Sequence, residues 1–150
     1  MTARTHVRAA RPFDAGAMAA MLGEIIAIGG TTAIRGPVTG DDLRDWMARA
    51  DIWHVAEEDG EIVGFQWLGR RDGQPPEACD IATFVSPRAH GLGIGSKLFD
   101  ATRKAAKAAG FQWINATIRV ENAGGRAYYR SRGFETYART PGTVSKRHDL

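Results

Sequence analysis

The apolar positions of this chain change period several times, and the changes mark out its elements. Val7 to Ala10 reads as a short strand. Behind Asp14, a residue suited to helix capping, Met18, Met21, Leu22 and Ile25 recur at helical spacing until Gly29 and Gly30. The stretch "TTAIRGPV" reads as a loop. Thr39 and Asp42 have capping-box spacing, and Leu43, Trp46, Met47 and Ala50 form one helical stripe behind them. The period then falls to two. "IWHVAEE" and "EIVGFQWL" predict strands, the second with Val63, Phe65 and Trp67 on one face, and Asp59-Gly60 between them predicts a tight hairpin turn. "CDIATFV" predicts the next strand, stopped by Pro87.

Helical spacing returns with Leu98, Thr102, Ala105 and Ala109, while Lys97, Asp100, Lys104 and Lys107 face the other way and Gly110 suits the C-terminal cap. In "QWINATIRV", Ile114, Ala116, Ile118 and Val120 alternate as in a strand. Asn122 can cap a short helix reaching Arg132, although Gly124 and Gly125 make that helix intrinsically poor and in need of packing or a ligand. Gly133 stops it, and "FETYAR" and "TVSKRHD" predict two closing strands. Hairpin-linked strands beside strand-helix-strand crossovers predict a mixed α/β sheet with helices on its faces.

Composition narrows the class. At 150 residues the chain is one domain by length, spanning 1–150, and 43% apolar and 25% charged content are those of a soluble globular protein. No window approaches a membrane span, and "MTARTHVRAARPFD" has no apolar run that could act as a signal peptide. Cys79 is the single cysteine, so no internal disulfide forms. These features are those expected of a cytoplasmic protein with no membrane partner. A net charge of +3 with scattered basic residues gives a mild bias towards anionic ligands and no nucleic-acid footprint. His6, His54, His90 and His148 lack ligand spacing, so no metal site is expected. Cys79 reads as a buried strand thiol rather than a nucleophile, and the four tryptophans as core or interface.

The candidate chemistry sits in "VSPRAHGLGIGSKLF", residues 85–99. A strand that ends in a glycine loop feeding a helix is an anion site. The first helical amides have no internal partner and lie at the positive end of the dipole. Ser96 could add a hydroxyl. Gly95-Ser96-Lys97 breaks the Walker A order, and Gly91-Leu92-Gly93-Ile94-Gly95 is not the dinucleotide fingerprint G-x-G-x-x-G. The pyrophosphate of coenzyme A is the remaining phosphate reading.

Here the chain resembles the GNAT superfamily of acetyl-CoA-dependent N-acetyltransferases. The signature Gln/Arg-x-x-Gly-x-Gly/Ala maps to His90-Gly91-Leu92-Gly93-Ile94-Gly95, with His90 in place of Gln or Arg. A second signature maps to Asn122, Tyr129, Gly133 and Phe134. The resemblance implies a central mixed, mostly antiparallel sheet of about seven strands with helices on both faces. "TTAI", "VAEEDGEIVGF" and "VSPR" further resemble the phosphinothricin and methionine-sulfone acetyltransferase branch, whose acceptors are small amino-acid-like amines.

The resemblance also implies roles. Acetyl-CoA would be the cosubstrate, held by residues 90–96 (Ser96 included), by Asn122, and by backbone amides of Thr83, Phe84 and Val85 if the next strand splays away. Asp80 would be the base, with Glu77 in reserve, and Tyr129 would donate to the leaving thiolate or position the sulfur. Thr31 and Thr32 would wall a pocket for a small-molecule amine, and Arg70 or Arg71 would grip an acceptor carboxylate. A protein or peptide acceptor, or a non-catalytic acyl-CoA-binding regulatory domain, are the alternative readings. A homodimer is among the assemblies the resemblance allows.

Overall fold

A computed structural model describes residues 5–89 and 93–150. In chain order they form β1 (Thr5–Ala9), α1 (Ala15–Ile28), α2 (Gly40–Arg49), β2 (Ile52–Glu58), β3 (Glu61–Gly69) and β4 (Ala78–Val85). There follow α3 (Ile94–Ala108), β5 (Trp113–Arg119), α4 (Ala123–Ser131), β6 (Glu135–Arg139) and β7 (Thr143–Asp149). The seven strands make one sheet in the order β1-β2-β3-β4-β5-β7-β6. Every neighbouring pair is antiparallel except β4 and β5. The mixed, mostly antiparallel sheet with helices on both faces is the expected architecture. No helix among the described residues is long and apolar enough to cross a membrane.

Alternation along the strands sorts the side chains into two cores. On one face Val55, Phe65 and Phe84 pack under α1 and α2 with Met18, Leu22 and Leu43. Trp53 and Trp67 stack there at 4.3 Å between ring centroids, 11° from parallel. On the other face Cys79, Ile81, Ile114, Ala116 and Ile118 pack with Phe99, Ala106, Tyr129 and Phe134. A fully buried side chain of this kind contributes about 1.5–3 kcal/mol relative to exposure, which is how two modest helices hold each face.

Several sequence expectations shift by a residue or two for identifiable reasons. Val63 does not share a face with Phe65 and Trp67. The β2–β3 register slips between Ala56↔Gly64 and Glu57↔Ile62, leaving Val63 as a bulge residue that packs with Ile94 and Leu98. In α3 the buried stripe is Leu98, Phe99, Thr102 and Ala106, so Ala105 lies at its margin, and Ala109 is exposed past the helix end. Val120 falls beyond the end of β5. The Thr39–Asp42 capping box forms as predicted, Asp42 N–H donating to Thr39 Oγ1 at 3.2 Å and Thr39 N–H to Asp42 Oδ2 at 2.9 Å.

Asp14 does not cap α1. Its carboxylate turns back to accept a two-pronged bond from Arg8, at 2.8 and 2.9 Å, and the Arg11 amide at 2.7 Å. Only 3% of Asp14 is exposed, so this pair pins β1 to the start of α1 in a partly dry setting. The hydrogen bond from Arg8 holds the carboxyl below its ordinary value despite burial. A depressed folded value means the stabilisation is complete above the unfolded carboxylate range and is lost as pH falls below about 4. Asp14→Ala is expected to cost about 3 kcal/mol at neutral pH, since Arg8 loses its buried partner. In urea melts, the gap between the two proteins should narrow between neutral pH and pH 3.

Candidate functional site: a cleft where two parallel strands part

The parallel pair β4–β5 holds for three rungs, Ala78↔Trp113, Cys79↔Ile114 and Asp80↔Asn115. Beyond them residues 81–85 continue with β3, and residues 116–119 continue with β7. The strands therefore part after Asp80, and a cleft of about 1140 Å³ opens between them. Its walls include residues 81–85 of β4, residues 117–119 of β5, the start of α3, α4, and the loop after α1.

Ladder alternation fixes which amides look into this cleft. Ser86 N–H donates to Val63 O at 2.8 Å, in register with the β3–β4 pairing. Counting back by twos, Phe84 and Ala82 direct their amides at β3, and Ile81, Thr83 and Val85 direct theirs to the opposite edge. Of the three amides expected there, Thr83 and Val85 thus face the cleft, while Phe84 contributes its position to the wall and its ring to the α1–α2 core.

At the far end of β4 the chain turns into α3. Gly93 sits at φ +73°, a left-handed conformation, just before the helix, and no side chain caps the first turn. Gly93, Ile94, Gly95 and Ser96 line the cleft, so the first amides of α3, which have no partner within the helix, border it. The Ile94 side chain is core, 2% exposed. Gly95 is required by packing: a Cβ there would lie 2.6 Å from Tyr128 Cε1. His90, Gly91 and Leu92 lie outside the described residues.

A polar cluster lies under this end of the cleft. Tyr128 donates to Gly95 O at 2.7 Å and accepts from Gln66 Nε2 at 3.1 Å. Gln66 Nε2 also donates to Thr83 Oγ1 at 2.9 Å, and that hydroxyl shares a 2.8 Å bond with the Tyr129 hydroxyl. Gln66 is fully buried, and its Oε1 has no protein partner among the described residues. Burial pushes the Tyr128 phenol up to about 12 and the Tyr129 phenol further up, so both stay protonated at neutral pH. Tyr129 arrives here because Asn122 caps α4, accepting from Gly125 N–H at 2.9 Å.

Asp80 points to the other face. Its carboxylate accepts from Gln74 at 2.6 Å, Asn115 at 2.7 Å and Arg71 at 3.3 Å. Arg71 and Asn115 both also donate to Thr117 Oγ1, at 3.4 and 3.1 Å. Thr117 lines the cleft, and Asp80 and Arg71 do not. Tyr137, the bulge residue of β6, donates its hydroxyl to Asn115 Oδ1. Arg70 points away from this group, 3.7 Å from Asp51 and over the Phe111 ring, so only Arg71 of the pair stands beside Asp80. Glu77 precedes β4, its carbonyl taken by the Gln112 amide at 2.8 Å, at the closed end of the strands.

Thr31 and Thr32 line the cleft. Asn122 Nδ2 donates to Thr31 O at 3.1 Å and Arg119 to Thr32 O at 3.2 Å, which ties that loop to β5 and α4. Cys79 is buried with its thiol pushed up to about 12, mainly by desolvation, and is poorly suited to act as a nucleophile.

The sequence reading passed over Gln66, Tyr128, Arg119 and Tyr137. The first two had a readable signal. Gln66 is the polar member of the alternating set Gly64, Gln66, Leu68, and Tyr128 adjoins Tyr129. Arg119 and Tyr137 had none, because a strand end and a bulge decide their positions.

Comparison with known proteins bears on the whole arrangement. Residues 26–134 match the acetyltransferase (GNAT) family. The chain is 30% identical over 110 residues to a mycothiol acetyltransferase of Beutenbergia cavernae, a match covering 69% of this chain. It spans about a third, 36%, of that relative's length. A phosphinothricin acetyltransferase of Sinorhizobium meliloti, solved with AcCoA, superposes with a TM-score of 0.88 at 22% identity, covering 100% of this chain and 89% of that one. A ribosomal-protein-alanine N-acetyltransferase of Brucella melitensis gives 0.88 at 21% identity, over 97% and 99% of the two chains. At such identities these superpositions speak for the fold, which two proteins with different acceptors share equally. With a family match across most of its length, and with the parted strands and second-signature residues in register, this chain belongs to the acetyltransferase (GNAT) family.

Proposed function

We propose that this chain transfers the acetyl group of acetyl-CoA directly to a primary amine of a small acceptor. The observation that carries the reading is the parting of β4 and β5, which opens a large cleft onto strand amides, a helix N-terminus and two protonated phenols. The Thr83 amide would receive the extended arm of acetyl-CoA as an added strand partner. The first turn of α3 after Gly93 would receive its pyrophosphate. In the transfer, the amine nitrogen bonds to the thioester carbonyl carbon, the carbon–sulfur bond breaks, the amine gives up a proton and the thiolate gains one.

Tyr129 stands on the thiol side of this scheme. An ordinary thiol ionises near 8.5. A phenol raised well above 10 holds its proton more tightly than that, so Tyr129 stabilises the departing sulfur chiefly as a hydrogen-bond donor. Asp80 stands on the amine side. Because Thr117 separates it from the cleft, Asp80 would take the amine proton through a water at that threonine. Arg71 beside it is the candidate grip for an acceptor carboxylate, which is what an amino-acid-like acceptor would bring.

Release of free thiol from acetyl-CoA, measured against amino acids, polyamines, aminoglycosides and peptides, tests the reading. Turnover with none of them would leave a binding domain. Turnover with peptides alone would move the acceptor to protein. Gly93→Val, whose side chain would project into open space from a left-handed backbone, should weaken CoA binding at least tenfold in a protein that still melts cooperatively. An unchanged CoA affinity would remove the α3 turn from the site. Tyr129→Phe and Asp80→Asn should each lower kcat by about 10²–10⁴-fold with little change in CoA affinity. The Asp80→Asn deficit should shrink as pH rises and free amine forms unaided. A deficit independent of pH would make Asp80 an anchor for the parted strands and not a base.

A further inference from the structure

A second concavity, about 650 Å³, lies on the side of α4 away from the cleft, walled by α4, β6 and β7. Its lining carries Arg126, Arg130, Arg139 and Lys146 against a single carboxylate, Glu135. Among the described residues none of the four cations has an acidic group within ion-pair distance, Glu135 included. Elsewhere on the surface arginines do find carboxylates, as in Arg44–Asp41, Arg49–Asp45 and Arg147–Asp149.

Lys146 is the informative member. It is 8% exposed, and its ammonium has one hydrogen bond, to Thr136 Oγ1 at 2.8 Å. An ammonium has three donors and is costly to bury without a counter-charge. Its ionisation is pulled below the ordinary lysine value by burial and by Arg130, Arg139 and Arg126. Like charges are therefore gathered around an amine that lines the pocket, and no protein anion among the described residues offsets them.

We infer that this pocket binds a small anion of the phosphate class bearing two or more negative charges. The volume lies in the range of small-molecule sites. Arginine forks suit phosphate oxygens, and the buried ammonium supplies a fixed donor at the base. A monoanion would offset one of four cations, whereas a bisphosphate or pyrophosphate group offsets most of the excess. Ala123 borders both this pocket and the cleft, and Tyr129 lies on the same helix, so an occupant would brace the element that carries the thiol-side phenol. The inference stands without the acetyl-transfer reading, since it concerns a different surface.

The anion is a free phosphorylated metabolite, and the phosphate tail of CoA itself is the competing source. Titration calorimetry with inorganic pyrophosphate, on the full chain with and without saturating CoA, separates them. Pyrophosphate should bind in both conditions. Arg130→Gln and Arg139→Gln, both at exposed positions, should each weaken it at least about tenfold while CoA affinity and melting temperature stay as in the wild type. Lys104→Gln, on the solvated face of α3, should change nothing. Absence of binding at millimolar pyrophosphate would overturn the proposal. So would abolition of binding by CoA, or variants that bind as the wild type does.

Discussion

The structure turns on one interrupted ladder. β4 and β5 are the sheet's parallel pair, joined through the α3 crossover, and they share three rungs. Each is held on its outer edge by a longer antiparallel ladder, six rungs for β4 with β3 and seven for β5 with β7. Those outer ladders let the inner edges part without unravelling. Backbone polar groups seek partners, so an edge turned into a cleft is a standing demand for water or an extended ligand. The aromatic stack of Trp53, Phe65, Trp67 and Phe84 stiffens the β3–β4 side of the opening.

Alternation along β4 then divides the chemistry. Thr83 is odd-numbered and meets Gln66, Tyr128 and Tyr129 on the α3–α4 face. Asp80 is even-numbered and meets Arg71, Gln74 and Asn115 on the α1–α2 face. Two groups three residues apart on one strand thus belong to different sides of the sheet, with the cleft between them. A single-residue slip in the β3–β4 register would exchange the faces. The Val63 bulge absorbs the misfit between β2 and β3 before it reaches that register.

The fold was largely legible because the chain changes period cleanly and its turns carry suitable residues. Asp59 at φ +50° and Gly60 at φ +83° make the hairpin turn the dipeptide announced. Misreadings arose where tertiary partners outrank local preference. Asp14 reads as a cap, yet a half-buried arginine, Arg8, claims its carboxylate. Val63 reads as a partner of Phe65, yet a bulge reverses it. At the site, sequence motifs located α4, Asn122 and Tyr129, and a resemblance located β4. They could not tell that Asp80 is already held by three donors, nor that Gly95 serves Tyr128. Asn115 is 35 positions from Asp80, and Tyr128 is 33 from Gly95.

The weak helix is explained by what holds it. Two glycines in the first turn of α4 give little intrinsic helicity. Asn122 compensates by working in two directions, its carbonyl oxygen capping α4 and its amide nitrogen holding Thr31 O. Arg119, one strand end away, holds Thr32 O while pairing with Glu121. The loop after α1 is therefore fastened to the helix that presents both phenols. Gly125 permits this arrangement, because a Cβ there would lie 2.5 Å from Asn122 Nδ2, too close to be accommodated. Gly125, which weakens the helix, thus makes room for the side chain that fixes it, and Asn122 and Arg119 together set the two sides of the cleft relative to each other.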